Sequence, residues 1–342
     1  MKRRTFLSLM GAAALTSSMM LTGCGAGSDD DRKIVRIGHV QSQTHPDHLG
    51  LEAFANYINE KLGDKYRVEV YPSELLGSQT EMVQLTQTGA IDFVVASNAI
   101  METFSAKYQI FNLPYLFSSV EAYHEAMDDP EVTDPIFKTT SKAGLETVAW
   151  LDAGTRNFYT IKTPINQPSD LKGLKIRVAG SSVLNNAYQA WGANWANANW
   201  SEVFTALQTG TYDGQENPLP TADGASIAEV QKYVTYWTGV YDCIFFTMNA
   251  DLYNSLSPEL QAIVDECGQK AAQNQRKLER EQDQEVLQKW ADAGVTVTEL
   301  TDEAAAEFKD ASSGVADLFV KDCVDKGFDQ AEVESLVAAF QK

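Results

Sequence analysis

Residues 257–294 constrain this chain more than any other stretch. Ser257 is placed to cap a helix and Pro258 suits its first position. Apart from Gly268, neither Gly nor Pro recurs until Gly294. An uninterrupted run of about 36 residues would extend about 54 Å at 1.5 Å per residue, further than one domain is wide. Its middle, 269–284, is mostly polar and charged. A long helix with a polar centre fits a bridge between two lobes. The competing reading is two helices broken at Gly268.

The rest of the chain alternates strand and helix signals. Stretches 34–40, 67–71 and 91–96 read as strands, the last almost wholly apolar, as in a sheet covered on both faces. Between the first two, Pro46 opens a helix to about Leu62, with Leu51, Phe54, Ala55 and Ile58 on one side. Such alternation predicts a parallel, wound sheet. Two helices near 120–127 and 131–143 precede a strand at 147–151. Gly154 marks a bend where the chain crosses to a second domain, and 234–240 and 244–248 bring it back. A strand at 295–300 and helices near 303–326 and 330–340 finish it. The 342 residues leave room for two domains. The expectation is α/β, with lobe I at 33–153 plus 243–282 and lobe II at 154–242 plus 283–342, joined by hinge strands and the long helix.

Residues 170–218 carry the chemistry. Within DLKGLKIRV (170–178), LKIRV alternates apolar and charged, a strand with one buried face, and Gly173 makes the turn before it. Ser181 and Ser182 can cap a following helix to about Trp191. Arg177 then lies near the carboxyl end of its strand, beside a helix N-terminus. Free N–H groups and the helix dipole favour an anion there, and a guanidinium can grip a carboxylate with two parallel hydrogen bonds. The plainer reading makes Lys175 and Arg177 the solvated face of an edge strand.

Three segments in this order, DLKGLKIRV, SEVFTALQTG (201–210) and DGQENP (213–218), resemble the solute-binding proteins of TRAP transporters, the DctP-type family. Weaker agreement runs from about Ile34 to Asp325. The resemblance implies a two-lobed, type II-like periplasmic-binding-protein fold and an extracytoplasmic receptor, not an enzyme. Such a receptor binds a small organic acid, closes over it and delivers it to membrane subunits, with no cofactor. It further implies that Arg177 pairs with the ligand carboxylate, that Arg156 is a second arginine at the crossing, and that Asn217 donates to the same carboxylate. Trp200, just before the 201–210 helix, would pack on the ligand; core filling is its alternative. Lobe I would set selectivity through His39, Gln41, Gln79, Ser97 and Asn98. Family members taking amino-bearing or strongly hydroxylated acids often carry acidic residues in that lobe. None stands at these positions, which argues against an amino-bearing ligand. Residues 191–200, WGANWANANW, would make the pocket aromatic and amide-rich, which suits a sugar acid such as a hexuronate. A C4-dicarboxylate or an aromatic acid is the alternative ligand.

The N-terminus reads as a targeting segment. Lys2, Arg3 and Arg4 precede an apolar stretch, and LTGC (21–24) resembles a lipobox. That implies cleavage after residue 23, lipid on Cys24, and a flexible tether over 24–32. RRTFL also resembles a twin-arginine signal, so the export route stays open. The receptor would be periplasmic or on the cell surface, anchored to the membrane. The chain carries 27 basic and 47 acidic residues, net −20; losing the three leader cations leaves −23. That excess argues against nucleic acid as a partner. Cys243, Cys267 and Cys323 then form an odd set with at most one disulfide, of which Cys267–Cys323 is a guess. His45 and His48, spaced i,i+3, offer a different class of function, an exported metal-ion-binding protein. No Gly-x-Ser-x-Gly elbow, phosphate loop or dinucleotide fingerprint points to catalysis.

Overall fold

The computed structural model describes residues 30–341. The expected leader, Cys24 and most of the tether lie outside them. In chain order the elements begin β1 (Lys33–Gly38), α1 (Pro46–Leu62), β2 (Tyr66–Tyr71), α2 (Gln79–Gln87), β3 (Phe93–Ser97) and α3 (Asn98–Met101). They continue α4 (Val120–Asp128), α5 (Pro130–Ser141), β4 (Leu145–Thr155), β5 (Asn157–Thr160), β6 (Lys175–Val178), α6 (Ser182–Ala190), β7 (Asn194–Asn197), α7 (Trp200–Gln208), β8 (Gly214–Asn217) and α8 (Leu219–Gly224). The last are β9 (Tyr233–Tyr236), β10 (Tyr241–Asn249), α9 (Ala250–Ser255), α10 (Pro258–Asp292), β11 (Thr296–Glu299), α11 (Asp302–Ala311), α12 (Val315–Asp325) and α13 (Gln330–Phe340).

Two sheets form, in the orders β2-β1-β3-β10-β4 and β11-β9-β5-β8-β6-β7. Neither is purely parallel. β1 runs parallel to β2 and β3, but β10 is antiparallel to both β3 and β4. In the second sheet β5 is antiparallel to β8 and β9. The reason is the crossing. β4 passes from one sheet to the other with only Arg156 between it and β5, and β10 returns alongside, Asp242 opposite Gly154 and Tyr241 opposite Thr155. A strand that returns beside its predecessor must run against it. Gly154 takes φ +92° at this crossing, a conformation that side-chain-bearing residues rarely adopt.

The expected bridge is one unbroken helix of 35 residues, α10. Gly268 does not break it; it lets β4 approach. A Cβ there would sit 2.5 Å from Val148 Cγ1. Towards its start α10 buries Val264, Cys267 and Ala271 with Leu51, Phe54 and Ile58 of α1 against the first sheet. Towards its end Val286 and Trp290 join Tyr159, Val203 and Leu207 on the second. Its polar centre is solvated on one face only: Gln273, Asn274, Lys277 and Glu281 are exposed, but Gln275, Arg276, Glu279 and Asp283 are buried. A third cluster fills the remaining faces, from Tyr108 and Phe111 through Phe158, Trp191 and Trp237 to Phe308. α13 packs on α4 and α5, beside the first sheet.

All three described cysteines are free and buried, so the guessed Cys267–Cys323 pair does not form. They belong to separate clusters, Cys267 under the first sheet with α1 and Cys323 with α12. Among the described residues no helix is long and apolar enough to cross a membrane.

Candidate functional site

A cleft with a cavity volume of about 410 Å³ opens between the two sheets. That is within the range of small-molecule sites. Strand ends supply its walls. β6 brings Arg177, β8 brings Asn217, the β4–β5 crossing brings Arg156, and the end of β3 brings Ser97. Gln41, Gln79 and Trp200 also line it.

The two arginines differ sharply. Arg156 is buried, and four of its five N–H groups are engaged within the chain. Its Nε donates to Glu216, its Nη1 to Asp242, and its Nη2 to the Glu216 carbonyl at 3.4 Å and to Asn217 Oδ1 at 3.3 Å. Nearby Asp242 and Glu216 hold its pKa up, against burial. Arg177 is 6% exposed, and its Nε and Nη2 donate only to the Ala198 carbonyl, at 3.2 and 2.7 Å. No carboxylate among the described residues pairs with it. Three of a guanidinium's five N–H groups are thus left over. Burial without a counter-ion pushes its pKa down to about 10, so it is still a cation at neutral pH. Trp200 lies beside it, its ring centroid 5.6 Å from the guanidinium carbon.

Neighbouring groups hold this wall in place. Glu216 joins the Arg156 ion pair to the end of β6, accepting the Ala179 N–H at 2.9 Å. Asn217 Nδ2 donates to Gln215 at 2.6 Å, which leaves it one N–H. The N-terminus of α6, expected to welcome a ligand anion, is already occupied. Glu102 accepts from Ser182 N–H at 2.7 Å and Ser181 Oγ at 2.8 Å. Any anion in the cleft therefore depends on Arg177 rather than on the helix dipole. Across the cleft, Gln79 Oε1 accepts from Ser97 Oγ at 2.7 Å, which leaves its NH₂ for the cavity. Gln41 Nε2 donates to Thr221 Oγ1 of α8 at 3.2 Å, linking the two sides.

Two expected residues are not in the cleft. His39 is fully buried and faces α1, 3.0 Å from His48 Nδ1. β1 ends at Gly38, and the next side chain packs on His48 and does not line the cavity. Asn98 is fully buried beneath β10, its Nδ2 4.0 Å from Cys243 Sγ, because a helical turn begins there and rotates it inward. Of the aromatics in 191–200 only Trp200 lines the cavity; Trp191 sits in the core, donating to the Phe308 carbonyl at 2.9 Å. The expected lack of acid in the first lobe is also corrected. Glu74 lines the cleft from that side, and Glu202 and Asp242 from the other. Glu74 arrives on a turn where Ser73 and Glu74 both take positive φ, which nothing in their identities announces. Burial pushes Asp242 up to about 6, opposed by Arg156.

The two histidines proposed as a metal pair turn to different partners. Pro46 starts α1, so His45 is its N-cap, with extended backbone and its ring accepting from Asp47 N–H at 3.1 Å. Helical i,i+3 spacing therefore does not apply, and His48 turns to His39 and to Glu52 at 3.3 Å.

A family model described as bacterial extracellular solute-binding protein, family 7 (DctP), matches residues 37–322. The 2,3-diketo-L-gulonate-binding periplasmic protein YiaO of Escherichia coli K12 is 30% identical over 312 residues, covering 90% of this chain and 94% of that protein. A TRAP periplasmic solute-binding protein from Anaerococcus prevotii, solved with bound α/β-D-glucuronate, is 42% identical with a TM-score of 0.83, covering 89% of this chain and 98% of that one. Another from Sulfitobacter, with bound β-D-galacturonate, is 28% identical with a TM-score of 0.84, covering 90% and 99%.

Proposed function

The chain belongs to the DctP family of bacterial extracellular solute-binding proteins, and we propose that it is a TRAP-transporter receptor holding a hexuronate by its carboxylate on Arg177. Members of this family are exported receptors, not enzymes. One observation supports the assignment of Arg177 above the others. It is a buried cation with spare donors facing a cavity and no anion of its own. A ligand carboxylate supplies that anion, in the bidentate geometry a guanidinium favours. Asn217 adds its remaining N–H, and Trp200 offers a flat face to the pyranose ring. The Gln79 amide and Asn199 serve the hydroxyls.

The same walls disfavour the alternatives. A C4-dicarboxylate would set its second charge among Glu74, Glu202 and Asp242. An aromatic acid would find a single ring, Trp200. Carboxylates accept well from sugar hydroxyls, so these acids fit a hydroxylated solute. Binding would draw the lobes together about the β4 and β10 crossings, driven by contacts made only in the closed form. The closed receptor would then dock on the membrane subunits. Cleavage after residue 23 and lipid on Cys24 would keep it tethered through 24–32. The proposed lobe limits 33–153 plus 243–282 and 154–242 plus 283–342 agree with the crossings at Arg156 and 237–240, except that α13 at the end of the second range packs on α4 and α5 of the first.

Calorimetry against D-glucuronate, D-galacturonate, succinate and D-glucose tests the reading. Heat and saturation are expected with a hexuronate and none with D-glucose, which has the ring without the charge. Silence with both hexuronates, or equal binding of D-glucose, overturns it.

A further inference from the structure

At the hinge, behind the part of the cleft wall formed by Thr221, three ligand-type side chains converge. His45 stands at the start of α1, Asp47 in its first turn, and Glu279 midway along α10. One donor atom from each lies within 4.8 Å of the others, and all three residues are buried. Asp47 Oδ1 accepts from Gln275 at 2.9 Å, but its Oδ2 has no hydrogen-bond partner, and neither oxygen of Glu279 has one. Glu279 is fully buried.

The electron pairs make the arrangement more specific. His45 Nε2 is 3.2 Å from Thr221 Oγ1, while Nδ1 accepts from Asp47 N–H. That acceptor role leaves Nδ1 without a proton, so the proton is on Nε2 and faces Thr221. Nδ1 also lies 3.5 Å from Asp47 Oδ2, and its one lone pair must leave the Asp47 N–H to take an ion. Two acceptors at that spacing, with an unpartnered carboxyl beside them, are satisfied either by a proton or by a metal ion between them. Tetrahedral bonds of about 2.1 Å put ligand atoms about 3.4 Å apart, so two of the three already stand at coordination spacing. Gly154 lies alongside: a Cβ there would meet Glu279 Oε1 at 3.2 Å and Asp283 Oδ1 at 3.4 Å.

We propose that His45, Asp47 and Glu279 bind one divalent transition-metal ion of the zinc–manganese type. An imidazole nitrogen with two carboxylates favours these ions over calcium or magnesium, which take oxygen. Thr221 orients the imidazole through its other nitrogen, as partners of metal-bound histidines do. The ion is resident rather than cargo. It pins the start of α1 to the middle of α10, at the level where β4 crosses between the sheets.

The test uses the whole soluble chain, stripped with chelator and then given zinc or manganese alone. One equivalent is expected to survive gel filtration, measured by elemental analysis. The melting temperature is expected to rise by roughly 5 °C at a hundredfold excess over Kd. Glu279→Gln is expected to weaken the ion at least tenfold while leaving hexuronate affinity within threefold. No uptake by the stripped protein, as when the carboxyls are simply protonated, overturns the proposal. So does wild-type uptake by Glu279→Gln. Anomalous diffraction at the zinc edge reads the site without any variant. A peak between the three side chains supports the proposal, and a peak only elsewhere refutes it.

Discussion

Replacing Arg177 with alanine separates binding from folding. In the ligand-free protein this guanidinium is buried, lacks a counter-ion and makes two hydrogen bonds to one carbonyl. Removing an uncompensated buried cation relieves a desolvation cost, which opposes the loss of those bonds. The melting temperature of the free protein should therefore stay within a few degrees of wild type. The liganded protein behaves differently. Truncating one partner of a buried, hydrogen-bonded charge pair costs about 2–5 kcal/mol, because the other charge is left stranded. Taking about 3 kcal/mol, and tenfold in Kd per 1.4 kcal/mol, affinity falls by about 150-fold. Arg177→Lys should recover little, since an ammonium cannot reproduce the fork. Titration calorimetry with a hexuronate reads both variants. A Kd within threefold of wild type for Arg177→Ala would remove this residue from the site, whatever the fate of the rest of the cleft.

Other substitutions probe the frame. Gly268→Ala improves helix propensity by about 1 kcal/mol but drives a methyl into Val148, so a net loss of about 1–2 kcal/mol in urea unfolding is expected; Val148→Ala in the same chain should restore it, and a stabilised single variant would contradict the close approach. Asp242 has its pKa raised from 3.8 to about 6. Its stabilising contribution is present below about pH 4 and lost as pH rises through 6. Asp242→Asn should remove that component, seen as a smaller difference in melting temperature between pH 4 and pH 6.5 than in wild type. An unchanged difference would mean that Asp242 is ionised throughout. Arg156→Lys should lower stability by about 3–5 kcal/mol in chemical denaturation, because Glu216 and Asp242 share this one guanidinium; wild-type stability with lost binding would instead assign Arg156 to the ligand.

Helix limits were the most readable part of the sequence. α1 begins at Pro46 and ends at Leu62, and α10 begins at Pro258, because a proline at the first turn and a cap before it are local signals. Arg177 was also readable, through the alternation in its strand and the fingerprint around it. β7 was not: Asn194 to Asn197 alternate nothing apolar, and edge pairing to β6 is a tertiary fact. His39 and Asn98 were misplaced because each lies one step past a strand end, where the two-residue period no longer says which way a side chain points. Glu102 was invisible for another reason. Its partners, Ser181 and Ser182, are some 80 positions away, and no local pattern couples an acid on one lobe to a helix start on the other. The antiparallel run of β10 was hidden because alternation of strand and helix does not record direction.

The fate of charge explains most of the architecture between the lobes. Along that boundary other arginines of the described residues found anions in the chain: Arg156 took Glu216 and Asp242, half-buried Arg280 took Asp152, and Arg276 took Asp128 at 2.8 Å. Helix α6 took Glu102. A fold that neutralises its interior this thoroughly leaves few places for an outside charge, and those places are informative. Arg177 is short of an anion and faces a cavity; Asp47 and Glu279 are short of a cation and face each other. If both gaps are filled from solution, an acid on one side of the hinge and a metal ion on the other, the two events act on the same strands. β4 ends at Thr155, and Arg156 in the cleft wall follows only two residues beyond Gly154, which lies against Glu279. Filling the metal gap would stiffen β4 where closure must bend it. Emptying it should therefore change the rate of hexuronate association more than the contacts that hold the ligand, a difference stopped-flow fluorescence of Trp200 can measure on stripped and zinc-loaded protein.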